Sequence, residues 1–219
     1  KAAFDELVGH EVLIEGYGLS ETSPLTHANP LHRAKAGSIG IPLPDTDAKV
    51  VDLETGADLP AEEAGELVIR GPQVMKAYWN RPQETAQAMA GGWFHTGDVA
   101  RMDAEGYFII VDRKKDLINT AGFKVWPREV EEVIYSHAAV RLVAVVGQTD
   151  TYRGEVVTAY VVLKDEQRGK VGEADIVAFC KERLAGYKVP RLVELRAELP
   201  VTATGKMLRR LLRDEGKRG

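Results

Sequence analysis

The sequence has very little cysteine and no long apolar run, and each shortage excludes a class of protein. Cys180 is the only cysteine among 219 residues, so an internal disulfide and a cysteine-cluster metal site are excluded. No apolar run approaches the roughly 18 residues that a membrane-spanning helix needs, and the opening KAAFDELVGH lacks the apolar region of a signal peptide. We expect a cytoplasmic chain with no transmembrane segment, which leaves only peripheral membrane contact open.

The chain also lacks an excess of positive charge. Its 29 Lys and Arg residues are outnumbered by 33 Asp and Glu residues, which gives a formal net charge of −4. Nucleic acid is therefore not expected as a partner, and the basic residues near the C-terminus are interpreted as a solvated helix face. The five histidines have no spacing that indicates a metal site.

The first half of the sequence predicts mostly β-structure. After an opening helix, the run EVLIEGYG predicts a buried strand that leads into a loop. Four further short strands are predicted from the runs AKVVD, GELVIRG, HTGDVARM and YFIIVD. A helix is predicted over 80–90, with Pro82 in its first turn.

The character of the sequence changes at the charged run DRKKD, residues 112–116, which predicts a joint between domains. Beyond it we predict a hairpin in LINTAGFKV and a helix from Pro127 whose apolar face includes His137. Two apolar strands, a helix over 174–184, a strand in RLVEL and a terminal helix from Met207 follow. The predicted fold class is α+β: a mostly β first part, then a small α+β domain with a short sheet flanked by helices.

The stretch GYGLSETSP is the first candidate for a ligand site. It places Tyr17 between two glycines, and Ser20 and Glu21 follow. Glycines such as Gly18 let a ligand approach the backbone closely, the ring can stack on a base, and a carboxylate can hold Mg²⁺. Read alone, the stretch is equally typical of an ordinary turn.

Three later stretches are further candidates. In GGWFHTGD, Asp98 can accept hydrogen bonds from two sugar hydroxyls, although turn aspartates are common. In DRKKDLINTAGFKVWPREVE, Gly122 lies at the tip of a hairpin after a charged joint, which also suits a plain linker and turn. In PVTATGKMLRR, Lys206 is not part of a phosphate-binding loop, because such a loop needs Ser or Thr next and a glycine five residues upstream. A solvated lysine near a helix start is the alternative.

Taken together, in this order and spacing, the four stretches closely resemble the C-terminal part of the AMP-forming acyl-CoA synthetases of the adenylate-forming superfamily. The resemblance runs from about residue 16 to residue 210 and is nearest to the long-chain fatty acyl branch. It implies an enzyme that activates a carboxylic acid as acyl-AMP with ATP and Mg²⁺, and then transfers the acyl group to CoA as co-substrate. Adenylation domains that load carrier proteins, and non-catalytic nucleotide-binding or regulatory modules, remain as alternatives.

The resemblance implies roles for the residues of the first part. Tyr17, with Gly18 beside it, is similar to the aromatic that packs on adenine. Glu21 is similar to the acid that holds the Mg²⁺ on the ATP phosphates, and Ser20 takes the place of a threonine that contacts phosphate. Asp98 is similar to the acid that binds both ribose hydroxyls.

The remaining roles belong to the joint and to the residues beyond it. The resemblance implies that Arg113 contacts the same sugar, that Lys115 is the hinge, and that Gly122 borders the passage for the pantetheine of CoA. Lys206 is similar to the lysine that reaches the substrate carboxylate and the α-phosphate during adenylation.

The resemblance also implies how the chain is organised. Residues 1–111 would be the C-terminal part of the large AMP-binding domain, 112–116 the hinge, and 117–219 the small mobile domain. The family's Ser/Thr/Gly-rich phosphate loop does not occur in the sequence, and most of the acyl pocket is absent with it. We therefore interpret the chain as a fragment that is inactive without the N-terminal part of its own large domain.

Overall fold

A computed structural model describes residues 2–9, 13–203 and 205–215 of the chain. The chain divides into two compact units, Lys1–Lys114 and Lys115–Gly219, and this division falls inside the segment 112–116. Helices and mixed sheets confirm the predicted α+β class. No helix in the described ranges is both long and apolar enough to cross a bilayer.

The first unit is built from two antiparallel sheets. Helix α1 (Ala2–Val8) precedes a three-stranded sheet of β1 (Gly16–Gly18), β2 (Leu25–Ala28) and β3 (Ile41–Pro42). A four-stranded sheet follows in the order β4 (Asp47–Val51), β5 (Gly65–Arg70), β6 (Phe94–Met102) and β7 (Phe108–Arg113). Helix α2 (Pro82–Ala88) lies between β5 and β6 in the chain. Buried apolar side chains of the four-stranded sheet form its core: Val50, Leu67, Ile69, Ala100 and Phe108.

The strand predicted from EVLIEGYG is wrong at residues 13–15, which belong to no strand. Pairing with β2 begins only at Gly16, opposite Ala28. Leu13 and Ile14 are 43% and 40% exposed and belong to no strand, and residues 11 and 12 lie outside the described ranges. An apolar run becomes a strand only where a neighbouring strand accepts its backbone hydrogen bonds.

The second unit contains one five-stranded sheet. Its elements in chain order are β8 (Ile118–Thr120), β9 (Phe123–Val125), α3 (Pro127–Tyr135), β10 (Val140–Asp150), β11 (Gly154–Leu163), α4 (Glu173–Lys181), β12 (Leu192–Leu195) and α5 (Arg209–Glu215). The strand order is β10-β11-β8-β9, and β12 pairs with β11 in parallel while the other pairs are antiparallel. Strand β10 is therefore at an edge of the sheet.

Helices cover both faces of the β10–β11 pair. Side chains alternate between the two faces along a strand, so alternate residues of β10 pack in different clusters. Val143 and Val145 pack in one cluster with residues of α3 and α4, including Cys180. Ala144 and Val146 pack in a second cluster with Leu212 of α5. The thiol of Cys180 is therefore buried in the core of the second unit.

Several predicted helix boundaries are wrong, and two of these errors displace residues discussed above. Helix α3 ends at Tyr135, so His137 lies beyond it, where its ring packs edge-on against Phe179 at 4.8 Å. Helix α5 begins at Arg209 instead of Met207, because Met207 forms a backbone bridge with Val201. The bridge closes the loop that carries Lys206.

Candidate functional site

Tyr17 and Asp98 come from different sheets of the first unit and form a direct hydrogen bond. Tyr17 lies in β1, Asp98 lies in β6, and the Tyr17 hydroxyl donates to Asp98 Oδ2 at 2.6 Å. Arg113 of β7 is the register partner of Asp98, and its Nε lies 3.5 Å from Asp98 Oδ1. Strand pairing and one long-range hydrogen bond thus gather three of the residues singled out in the sequence.

Burial and the contact with Asp98 keep Tyr17 protonated. Burial raises the pKa of Tyr17 far above its usual value, and the charge of Asp98 and its hydrogen bond raise it further. The hydroxyl therefore stays a donor. An ionised carboxylate has about four acceptor positions, so Asp98 retains capacity for two hydroxyl donors beside Tyr17. A vicinal diol, as in ribose, matches that capacity.

The turn after β1 depends on the absence of a side chain at Gly18. A Cβ there would lie 1.7 Å from the carbonyl oxygen of Pro24, which is backbone and has no room to move. Ser20 and Glu21 follow in a single turn of 3-10 helix over Ser20–Thr22, with Ser20 exposed. The close contact between the Gly18 backbone and the Pro24 carbonyl therefore helps to set the position of Ser20 and Glu21.

Glu21 is held by a residue that the sequence did not single out. The Tyr78 hydroxyl donates to Glu21 Oε1 at 2.9 Å, and the Met75 amide donates to the Glu21 carbonyl at 2.7 Å. Burial and this hydrogen bond raise the pKa of Tyr78. Nothing in the sequence around Tyr78 indicates the contact, because its partner lies 57 residues away.

The carboxylate of Glu21 fits a cation that is shared with a substrate. Mg²⁺ in nucleotide enzymes is usually bound by one or two carboxylates together with waters and phosphate oxygens. With Oε1 occupied by Tyr78, Oε2 is the oxygen suited to such a contact. Within the described part of the chain, no group of three or more His, Cys, Asp or Glu side chains forms a site that could hold a metal alone.

A buried histidine lies behind Tyr17 and is neutral at pH 7. The His27 ring packs edge-on against Phe108 at 4.9 Å and against Tyr17 at 6.0 Å, and its Nδ1 lies 2.9 Å from Thr26 Oγ1. Burial lowers the pKa of His27 to about 4.

Acid should therefore destabilise this chain before its carboxylates titrate. Because the folded-state pKa of His27 lies below the unfolded value of about 6.5, the unfolded state binds the proton first. The contribution of neutral His27 to the free energy of unfolding is fully present above about pH 6.5. The free energy of unfolding should fall by roughly 3 kcal/mol as the pH drops to about 4. Urea unfolding at several pH values measures this slope. The slope should shrink in His27→Leu and persist in His32→Gln; an unchanged slope in His27→Leu would contradict the assignment.

A buried carboxylate fixes the end of the first unit. Glu66 of β5 is 4% exposed, and its Oε2 lies 2.8 Å from Lys114 Nζ and 3.0 Å from His95 Nδ1. Burial opposes ionisation of Glu66, but the contacts with Lys114 and His95 outweigh it and lower its pKa. Lys114 is thus anchored to the sheet of its own unit, one residue before Lys115.

Lys115 and the hairpin with Gly122 both belong to the start of the second unit. Residues Lys114–Asp116 form one turn of 3-10 helix, and Lys115 is exposed. Ala121 and Gly122 connect β8 to β9 with φ of 49° and 85°. Two consecutive positive φ values are typical of the tightest hairpin turn, and they leave Gly122 exposed at its tip.

Lys206 is presented by a tight loop before α5. The Thr202 amide donates to the Lys206 carbonyl at 2.8 Å, and the Lys206 amide donates to Thr202 Oγ1 at 3.0 Å. Gly205 adopts a φ of 81°, a conformation that favours glycine. The glycine before Lys206 therefore permits the turn, and the lysine side chain is exposed.

The structure thus brings together some of the predicted residues and leaves others apart. Tyr17, Asp98 and Arg113 meet in the first unit, where Ser20 and Glu21 share one turn. Lys115, Gly122 and Lys206 lie on three separate elements of the second unit.

Comparison with known proteins finds two matching family descriptions. Residues 1–79 match the AMP-binding enzyme family, and residues 129–206 match the AMP-binding enzyme C-terminal domain. The long-chain-fatty-acid–CoA ligase of Bacillus subtilis (strain 168) is 51% identical over 216 residues, which are 98% of this chain and 38% of the relative. The enzyme of the same name from Escherichia coli O157:H7 is 49% identical over 208 residues, 94% of this chain and 36% of the relative.

Solved structures agree with these matches. ATP-bound MatB from Rhodopseudomonas palustris has a TM-score of 0.88 and 35% identity over 94% of this chain and 41% of its own. The o-succinylbenzoate coenzyme A synthetase of Bacillus subtilis, in complex with AMP, has a TM-score of 0.82 and 34% identity over 97% of this chain and 43% of its own. The chain therefore spans well under half of its relatives, and it belongs to the AMP-binding enzyme family of the adenylate-forming superfamily.

Proposed function

We propose that this chain is the C-terminal part of an AMP-forming acyl-CoA synthetase that activates a long-chain fatty acid and transfers it to CoA. The observation that carries the proposal is the contact of Tyr17 with Asp98 beside Arg113. It joins an aromatic ring to a buried acid that lies 81 residues further along the chain, with a guanidinium beside that acid. The two curated relatives named above support a fatty acid as the substrate.

The first unit would bind the nucleotide and the Mg²⁺ on its phosphates. The Tyr17 ring packs on adenine while its hydroxyl orients Asp98, and Asp98 accepts hydrogen bonds from both ribose hydroxyls. Arg113 contacts the same sugar. Ser20 contacts phosphate, and Glu21, held by Tyr78, would bind Mg²⁺, which neutralises charge on the phosphates.

Lys206 would serve the first half-reaction. The fatty acid carboxylate attacks the α-phosphate of ATP, a bond to the α-phosphorus forms, and pyrophosphate leaves. Both reactants are anionic, so a fixed positive charge at the point of attack stabilises the transition state. The exposed position of Lys206 in a loop stiffened by two hydrogen bonds to Thr202 suits that task.

Lys115 would be the hinge for the second half-reaction, in which the CoA thiol attacks the acyl carbonyl and AMP leaves. A lysine between carboxylate and phosphate would obstruct that attack, so the small domain would turn and bring the Gly122 hairpin to the adenylate. The residue before Lys115 is anchored by Glu66. The residue after it, Asp116, is buried and bound by arginines of its own unit. A backbone rotation is therefore expected to concentrate at Lys115.

The order in which products appear tests this function. The full-length enzyme, given ATP, Mg²⁺ and a long-chain fatty acid, should release pyrophosphate and retain acyl-adenylate, and AMP and acyl-CoA should follow only when CoA is added. Asp98→Ala should raise the KM for ATP roughly 10- to 100-fold, because charge-assisted hydrogen bonds to the ribose are lost.

The control is Asp47→Ala. It removes an exposed carboxylate of β4 that pairs with Arg70, and it should leave the KM for ATP unchanged. Acyl transfer to a carrier-protein thiol but not to CoA would assign the chain to the carrier-loading adenylation domains instead. Absence of both pyrophosphate release and nucleotide binding would favour a regulatory module.

A further inference from the structure

Four charged residues that the proposed chemistry does not use meet at the edge of β10. They are Asp116, which follows Lys115, Glu131 of α3, and Arg209 and Arg213 of α5. Both carboxylates are buried, and the two arginine side chains are only 23% and 28% exposed. The interpretation of this basic stretch as a solvated helix face is therefore wrong for these two arginines.

Glu131 ties helix α3 to strand β10 and helix α5. Its Oε1 accepts from the Val145 amide at 2.8 Å and from Arg209 Nε at 3.1 Å, and its Oε2 accepts from Arg209 Nη2 at 2.6 Å. This two-point pairing of guanidinium and carboxylate fixes direction as well as distance. Helices α3 and α5 pack on opposite faces of the sheet, so the pair joins them around its free edge.

Arg213 ties the same helix to the first residues of the second unit. Its Nη2 donates to Asp116 Oδ1 at 2.9 Å, and its Nη1 lies 3.5 Å from the Lys115 carbonyl oxygen. Arg209 Nη1 lies 3.6 Å from Asp116 Oδ2. The chain segment at Lys115 is therefore bonded to a helix that begins three residues after Lys206.

We propose that Arg209 and Arg213 are positioning residues for Lys206, which they connect to the hinge through Glu131 and Asp116. The inference rests on the proposed function of Lys206. The ammonium group of a lysine on a loop is placed accurately only if the loop is held rigidly to the domain that moves. An error of about 1 Å in its position can cost about 100-fold in rate. Because α5 is hydrogen-bonded to Asp116, a backbone rotation at Lys115 moves the loop that carries Lys206 together with the rest of the second unit.

The test separates the two half-reactions in the full-length enzyme. Arg209→Gln should lower the kcat of pyrophosphate release roughly 10- to 100-fold with little change in the KM for ATP. Acyl-CoA formation from supplied acyl-adenylate should change less than about twofold, because that step does not use Lys206. Amides of residues 205–208 should exchange hydrogen faster. Arg209→Lys, which keeps the charge but not the two-point geometry, should recover part of the rate.

A double-mutant cycle distinguishes positioning from general support of the fold. In a Lys206→Ala background, Arg209→Gln should cause no further loss of adenylation, because the arginine acts through the lysine. An equal loss in both backgrounds, or equal loss in both half-reactions, would overturn the inference. If Lys206→Ala itself leaves adenylation intact, the proposed function fails instead. Arg128→Gln, which breaks the exposed pair with Glu132 on α3, is the matched control and should affect neither half-reaction.

Discussion

Lys206→Ala in the full-length enzyme is expected to slow acyl-adenylate formation about 100- to 1000-fold, the usual cost of removing one donor that stabilises developing charge. The KM for ATP should change little, because the residues proposed to bind the nucleoside, Tyr17, Asp98 and Arg113, lie in the other unit. Acyl transfer to CoA from supplied acyl-adenylate should remain nearly normal. Rapid-quench measurement of each half-reaction gives both rates.

The loop geometry supplies a matched control for this prediction. The backbone of Lys206 forms its two hydrogen bonds with Thr202 whatever the side chain is, so alanine should leave the loop folded. Lys206→Arg keeps the charge on a longer, planar head group and should recover part of the adenylation rate. Similar losses in both half-reactions would mean that the lysine supports the loop and not the reaction.

Lys115→Pro should slow the second half-reaction about 100-fold while acyl-adenylate still forms at nearly the normal rate. Proline holds φ near −65° and lacks an amide donor, and a conformation that it does not fit costs about 3 kcal/mol. If the rotation at this residue is needed after adenylation, the variant is trapped in the adenylating arrangement. The substitution leaves the nucleotide contacts proposed for Tyr17, Glu21 and Asp98 untouched.

Lys115→Ala is the control, because it removes the exposed side chain and keeps the backbone freedom. It should transfer the acyl group within about threefold of the normal rate, as expected for a surface substitution. If proline slows both half-reactions alike with the fold intact, or slows neither, Lys115 is not the pivot. Glu66→Gln offers a further comparison, since it weakens the anchor of the preceding Lys114.

The sequence singled out individual candidate residues but did not predict their contacts. Tyr17, Asp98 and Arg113 were singled out because each lies in a short motif that resembles one of the family's. Their meeting point was not predicted, because it depends on pairing between strands far apart in the chain. Tyr78 was missed for the same reason. Tyr78 is of interest only because its hydroxyl contacts Glu21, which lies 57 residues earlier in the chain.

The fold class was predictable because alternation and turn residues are local, whereas strand partners are not. Leu13 and Ile14 have the apolar character of a strand, yet no strand in the described ranges pairs with them. Arg209 and Arg213 look like surface residues because charge usually prefers water. Only the fold shows that two buried carboxylates, Asp116 and Glu131, are their partners.

The carboxylate of Glu131 also occupies part of the exposed edge of the sheet in the second unit. An edge strand such as β10 presents unpaired amides to which a strand of another molecule can add, and this is a common route to aggregation. Strand β10 is long and rich in valine, which makes it a favourable template. Because Glu131 accepts the Val145 amide at the middle of that edge, a second strand could not pair there without displacing a buried ion pair.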